Sequence, residues 1–175
     1  MKYTVTFYFT IHGKTCFAEG EIREFDRSVS LLENKFGLVL LQLAPQTPYN
    51  PDRLYKALTT FNNPARVAVE FRHEQWFTDE IAALLRETGA TFCSVDSPKI
   101  GLMDLVTSEN AYIRMHGRSG WYNADYSDQQ LQEVCELCNT MAAQGAKRIY
   151  NYFNNDFGGF APKNALRLKE MLGVA

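Results

Sequence analysis

The chain has 175 residues, 46% hydrophobic and 22% charged, and 18 Lys and Arg against 20 Asp and Glu leave a net charge of −2. That composition suits one globular domain, expected over residues 1–175, and with no overall basic field it argues against recognition of nucleic acid or membranes by bulk charge. The opening "MKYTVTFYFT" lacks the charged region, apolar stretch and cleavage site of a signal peptide, and no apolar run would span a bilayer, so the expected location is the cytoplasm.

Two periods alternate along the chain. Residues 2–9 ("KYTVTFYF") read as a strand, 21–36 as a helix, 38–45 ("LVLLQLAP") as a strand and 51–61 as a helix. A third strand follows at 66–73 ("RVAVEFRH"), then a helix at 78–88 closed by Gly89, and a strand at 91–96 ("TFCSVD"). The stretch between Asp96 and Ala111 is too short and mixed for a helix. A strand at 111–117 ("AYIRMHG") precedes a helix at 128–144, whose start carries Ser127 as N-cap with Gln130 three residues on. Gly145 follows that helix, a last strand spans 148–156 ("RIYNYFNND"), and a last helix spans 162–172 with Pro162 in its first turn. Strand and helix alternating throughout predict right-handed βαβ units and a parallel α/β fold, with no internal repeat, low-complexity tract or linker.

Parallel strands deliver their functional groups at their carboxyl ends. The two-residue period sends Val67, Val69 and Phe71 one way and Ala68, Glu70 and Arg72 the other. It likewise groups Tyr112, Arg114 and His116 against Ile113 and Met115. Gln42, Asp96 and Asn154 also stand at strand ends, so one cleft shared by Gln42, Glu70, Arg72, Asp96, Arg114, His116 and Asn154 is expected.

Glu70 and His116 are the candidate general acid and base, although Glu70 and Arg72 equally suit a buried ion pair that pins the strand end. The guanidinium forks of Arg72 and Arg114 suit phosphate or carboxylate, and Lys163, placed in the first turn of the last helix with Asn164, suits an anion at a helix amino terminus. Trp121 and Tyr126, in loops after strands, are candidates for a stacking wall; packing under loops is the plain alternative. Asn154, Asn155 and Asp156 suit either the site or a turn before "GGF".

Cys135 and Cys138 form a C-x-x-C inside a helix with no second pair and no histidine at ligand spacing, which reads as two buried thiols. Cys16 and Cys93 are isolated, and all four cysteines are expected to be reduced. With three histidines and no H-x-x-x-H, no metal is expected. No G-x-S-x-G elbow, Walker-type loop or G-x-G-x-x-G is present, and no cofactor is expected either.

Three segments, "VAVEFRHEQWF", "YIRMHGRSGWYNADYSDQQL" and "YNYFNNDFGGFAPKNALRLKEML", resemble in order and spacing the corresponding segments of the family called domain of unknown function 72, the YecE-like proteins. "LVLLQLAP" resembles that family's apolar strand ending in Gln-Leu-Pro-Pro, with Ala44 in place of the first proline. The resemblance implies a TIM-barrel-like (β/α) fold, here incomplete at about six parallel strands with outer helices. Its likeness to apurinic endonuclease and sugar isomerase barrels is analogy of fold only.

Against the family pattern, a segment bearing a Gly-Trp first strand and a Tyr-bearing second strand is absent, residues 2–9 resemble the third strand, and Thr6 stands where a lysine is usual. The shortening implies a fragment of a longer coding sequence, one half of a split protein, or an open sheet that associates with itself through its edges. The function expected is an anion- or phosphate-binding cleft, serving a hydrolase or lyase acting on a phosphate-bearing or sugar substrate. A non-catalytic nucleic-acid-binding module and an inactive barrel remnant are the alternatives. The expected partner is a small anionic ligand or nucleic acid, with no membrane.

Overall fold

The computed structural model describes residues 3–9, for which only the backbone is considered, and 19–173. Cys16 and the side chain of Thr6 lie outside the described residues. The chain divides into two compact units, Met1–Phe92 and Cys93–Ala175.

In the first unit, strand β1 (Tyr3–Phe9), helix α1 (Glu19–Ser30), β2 (Phe36–Leu43), α2 (Pro51–Thr60), β3 (Val67–Glu70) and α3 (Asp79–Thr88) alternate, and β4 (Thr91–Asp96) begins at its end. All pairings are parallel: Tyr8 stands opposite Gln42, Gln42 opposite Glu70, and Val69 opposite Phe92. Opposed residues in parallel strands share a face, so Gln42 and Glu70 point the same way. The helices start where the sequence supplies acceptors. Asn50 accepts the Arg53 N–H and Thr78 accepts the Ile81 N–H. At the other end of α3, Gly89 takes the left-handed conformation with φ 74°.

Several expected boundaries move, two of them as follows. The helix expected over 21–36 stops at Ser30, because Glu33 takes a left-handed φ of 48° and Phe36 is already extended opposite Tyr3. The strand expected over 66–73 ends at Glu70, its last residue paired with β2, so Arg72 and His73 lie in the turn beyond it.

The second unit contains the rest of β4, β5 (Asn110–Met115), α4 (Asp128–Ala143), β6 (Arg148–Phe153) and α5 (Phe160–Met171). Its strands are again parallel, with Asp96 opposite Met115 and Met115 opposite Phe153. Residues 97–109 contain no helix, as expected. Ser127 and Gln130 close both halves of a capping box at the start of α4.

Leu131, Val134, Cys135, Cys138 and Met141 form the buried side of α4 and pack with Ala111, Ile113 and Met115 of β5 and Leu168 of α5. The two-residue period therefore sorted β5 correctly: Ile113 and Met115 face the helices, and Tyr112 turns the other way to stack on Tyr150 and Tyr152. Each unit is a run of parallel strands with packed helices, the α/β pattern of a TIM-barrel-like fold. Among the described residues no helix is long and apolar enough to cross a membrane.

Candidate functional site

At the carboxyl ends of β2 and β3 in the first unit, Glu70 is fully buried and ion-paired with Arg72. Arg72 Nη2 also donates to Gln42 Oε1 at 3.2 Å. The expected grouping of Gln42, Glu70 and Arg72 is therefore present within this unit. In such a buried pair each charge is held by the other, since removing either member strands its partner.

Trp76, in the turn that follows, is 2% exposed and stacks on Phe71, so it belongs to the core. A cavity of about 190 Å³ lined by Asp26, Asn62 and Arg66 lies at the amino-terminal ends of β2 and β3, the end that in such folds serves stability. Asp26 accepts the Asn62 N–H there at 3.0 Å.

The second unit gathers more of the candidates. Arg114, 7% exposed near the end of β5, donates through Nε to Asn154 Oδ1 at 3.1 Å, just past the end of β6. Backbone bonding sets this meeting: the Asn154 N–H donates to the Met115 carbonyl at 2.8 Å, which carries the chain of β6 one residue past its strand end alongside β5. Asn155 points elsewhere, donating to the carbonyl of Ala124 and to Asn164 Oδ1. Of the two neighbouring asparagines, Asn154 thus addresses the arginine and Asn155 braces the loop.

His116 follows β5 and is fully buried, its N–H donating to the Asp96 carbonyl at 2.8 Å. Its ring lies 5.8 Å from Trp121 and 5.4 Å from Tyr122, the latter edge-on. The loop that returns these rings turns at Gly117, with φ 100°, where a Cβ would strike the Gly120 carbonyl oxygen. The Tyr122 N–H then donates to the His116 carbonyl at 2.6 Å. Tyr122 itself has φ 64°, unusual for a residue with a side chain, and the residue is 47% exposed.

Three expected members fall outside this group. Asp96 stands opposite Met115, on the helix-facing side and away from the face of Arg114, which is opposite Val95. Its carboxylate, 1% exposed, receives Arg118 through Nε and Nη2 at 2.9–3.3 Å, and Arg118 Nη1 reaches Glu133 of α4 at 2.6 Å. Hydrogen bonding to Asp96, and next to Glu133, pushes the guanidinium pKa further up.

Tyr126 is 4% exposed and packs on Phe153, and its hydroxyl accepts the Gly117 N–H at 2.9 Å; burial first, then Asp96, pushes its pKa up. It is a core residue that pins the Gly117 turn and offers no stacking surface. Lys163 sits in the second turn of α5, because the helix starts at Phe160 rather than 162, and its Nζ meets Asp125 at 3.0 Å. Its neighbour Asn164 is 2% exposed, accepting the Tyr126 N–H and donating to Asp125, which places it among the loop braces.

Arg118 was the residue that motif reasoning passed over. "MHGRSGW" hid it, because an arginine next to glycine in a loop carries no periodic signal. Tyr122 lies in the same loop, where nothing local favours it over the candidates Trp121 and Tyr126. Among the described residues no three of His, Cys, Asp and Glu come together in a way that would hold a metal ion. The C-x-x-C thiols are buried, and burial pushes Cys138 up to about 11.

The family model described as "Protein of unknown function DUF72" matches residues 3–175. The UPF0759 protein YunF of Bacillus subtilis (strain 168) is 25% identical over 171 residues, covering 82% of this chain and 60% of that protein. A crystal structure of a DUF72 family protein of Thermotoga maritima MSB8 is 29% identical, with a TM-score of 0.81 over 89% of this chain and 65% of that one. A second, from Enterococcus faecalis V583, is 25% identical with a TM-score of 0.77, over 90% and 70% of the two chains. The chain therefore spans 60% of the length of the curated relative and 65% of the Thermotoga maritima protein.

Proposed function

Because the chain belongs to the DUF72 family, we propose that it binds a small phosphate-bearing anion at the carboxyl ends of β5 and β6. One observation carries this reading: Arg114 is held by Asn154 across two neighbouring parallel strands at the end where such folds place their ligands. A guanidinium fixed through Nε keeps its terminal nitrogens aimed in one direction, which suits a planar or tetrahedral oxyanion. His116, two residues on, is the proposed acid–base group of a hydrolase or lyase acting on a phosphate-bearing or sugar substrate. In the first unit, the pairing of Glu70 with Arg72 favours a role for Glu70 in aiming that guanidinium over a role as base.

The test is calorimetric titration of inorganic phosphate and ribose 5-phosphate into wild type, Arg114→Ala and Asn154→Ala, with circular dichroism to verify the fold. Loss of a charge-assisted hydrogen bond of about 1.5–3 kcal/mol should weaken binding roughly 10- to 150-fold in Arg114→Ala, and less in Asn154→Ala. Equal affinities in wild type and Arg114→Ala would remove the arginine from the site. Absence of binding to either compound would leave these charges as structural.

A further inference from the structure

We propose that the cavity at the amino-terminal ends of β2 and β3 binds a small zwitterion of the α-amino acid class, its ammonium on Asp26 and its carboxylate on Arg66. The cavity lies wholly within the first unit, so the inference stands apart from the anion reading of β5 and β6.

Asp26, on α1, is 6% exposed, and a carboxylate taken that far out of water needs compensation. Its Oδ2 accepts one backbone N–H, that of Asn62, at 3.0 Å. Among the described residues no cation pairs with it. The surroundings deepen the deficit. Ser30, the last residue of α1, and Phe61, directly after α2, line the same cavity, so two helix carboxyl ends abut it. Such an end carries the equivalent of about half a negative charge. Glu33 is an exposed member of the lining and adds a second carboxylate. Each of these groups favours a cation in the space between them.

Arg66 is the one cationic side chain of that lining. Its guanidinium carbon lies over the Phe36 ring, 4.9 Å from the centroid. A guanidinium stacked in this way keeps its N–H fork, which lies in its own plane, for a planar oxyanion. Among the described residues it forms no ion pair with Asp26, although both line one cavity of about 190 Å³. Two opposite charges held apart across a space, each with hydrogen-bonding capacity left, are met together by a molecule that carries both signs.

Pockets for drug-sized ligands run to about 300–1,000 Å³, so this one suits a smaller guest. Phe36, Val39, Phe61 and Val67 supply an apolar wall, which suits an aliphatic side chain more than a polar one.

The experiment titrates three compounds into the full chain by calorimetry: L-leucine, 3-methylbutylamine, which lacks the carboxylate, and 4-methylpentanoate, which lacks the ammonium. Circular dichroism verifies the fold of each variant. Leucine should bind at least about 10-fold tighter than either analogue, since each analogue forfeits one charge-assisted hydrogen bond. Asp26→Asn keeps an acceptor for the Asn62 N–H; it should weaken leucine and the amine roughly 10- to 150-fold and leave the acid no weaker. Arg66→Gln should weaken leucine and the acid while sparing the amine, and it stands in if Asp26→Asn fails to fold.

The amine bound as tightly as leucine would overturn the zwitterion assignment in favour of a plain cation site. The acid bound as tightly as leucine would remove Asp26 from the site. Leucine bound equally by wild type and both variants would place its binding elsewhere on the protein. No binding of leucine by wild type would overturn the inference and leave Asp26 as a brace for the segment between α2 and β3.

Discussion

Replacing Arg118 by alanine would leave Asp96 as a carboxylate 1% exposed with its guanidinium partner gone. Breaking a buried pair from one side costs about 3–5 kcal/mol, because the remaining charge stays desolvated. Arg118 is itself 33% exposed, so water would enter part of the space it leaves, and the lower end, about 3 kcal/mol, is expected. Asp96→Asn should be milder, roughly 1.5–3 kcal/mol, since the amide keeps an acceptor and Arg118 retains Glu133 and solvent.

The double variant Arg118→Ala/Asp96→Asn decides the matter, since neutralising the stranded carboxylate should recover at least about 1 kcal/mol relative to Arg118→Ala alone. Urea denaturation followed by circular dichroism, with slopes compared to exclude a change in compactness, measures all three. If the double variant loses the sum of the two single losses, the two residues do not act as a pair. The same clamp leads directly into the Gly117 turn, so Arg118→Ala should also broaden or shift the amide resonances of residues 116–122.

Ser127→Ala should cost about 1 kcal/mol of stability in the same assay, because it opens one half of the capping box at the start of α4. The carboxyl of Asp125 is held below its ordinary range by the Asn164 hydrogen bond first and by Lys163 second. Its folded-state pKa is depressed, so its contribution is present above the unfolded value near 4 and is lost as pH falls through the folded one. Carboxyl-carbon NMR titration should show Lys163→Ala undoing the smaller part of that depression and Asn164→Ala the larger. Cys135 and Cys138 should resist iodoacetamide at pH 8 in the native state and react quickly in urea, since burial holds both thiols above their ordinary range. Fast native alkylation at Cys138 would mean that this part of α4 opens far more often than its packing implies.

The amino-acid sequence by itself determined the alternation of strands and helices, the caps at Ser127 and Gly89, the buried side of α4, and which residues of β5 share a face. These are local properties, set by a two- or 3.6-residue period and by side chains that bond to backbone within three positions.

Tertiary structure decided what depends on a neighbour. Alternation within "TFCSVD" separates Asp96 from Val95 but does not say which of them faces the helices; the register against β5 does, placing Asp96 with Met115 and Val95 with Arg114. Asn154 and Asn155 are identical as letters, and the bond from the Asn154 N–H to the Met115 carbonyl separates the one that meets Arg114 from the one that braces the loop. Tyr126 and Tyr122 both follow β5 in an irregular loop, yet one is buried under the Gly117 turn and the other is turned outward by a left-handed backbone. Loops carry no period, so the burial and direction of their side chains are set by the hydrogen bonds that close them, and those bonds join residues up to 40 positions apart.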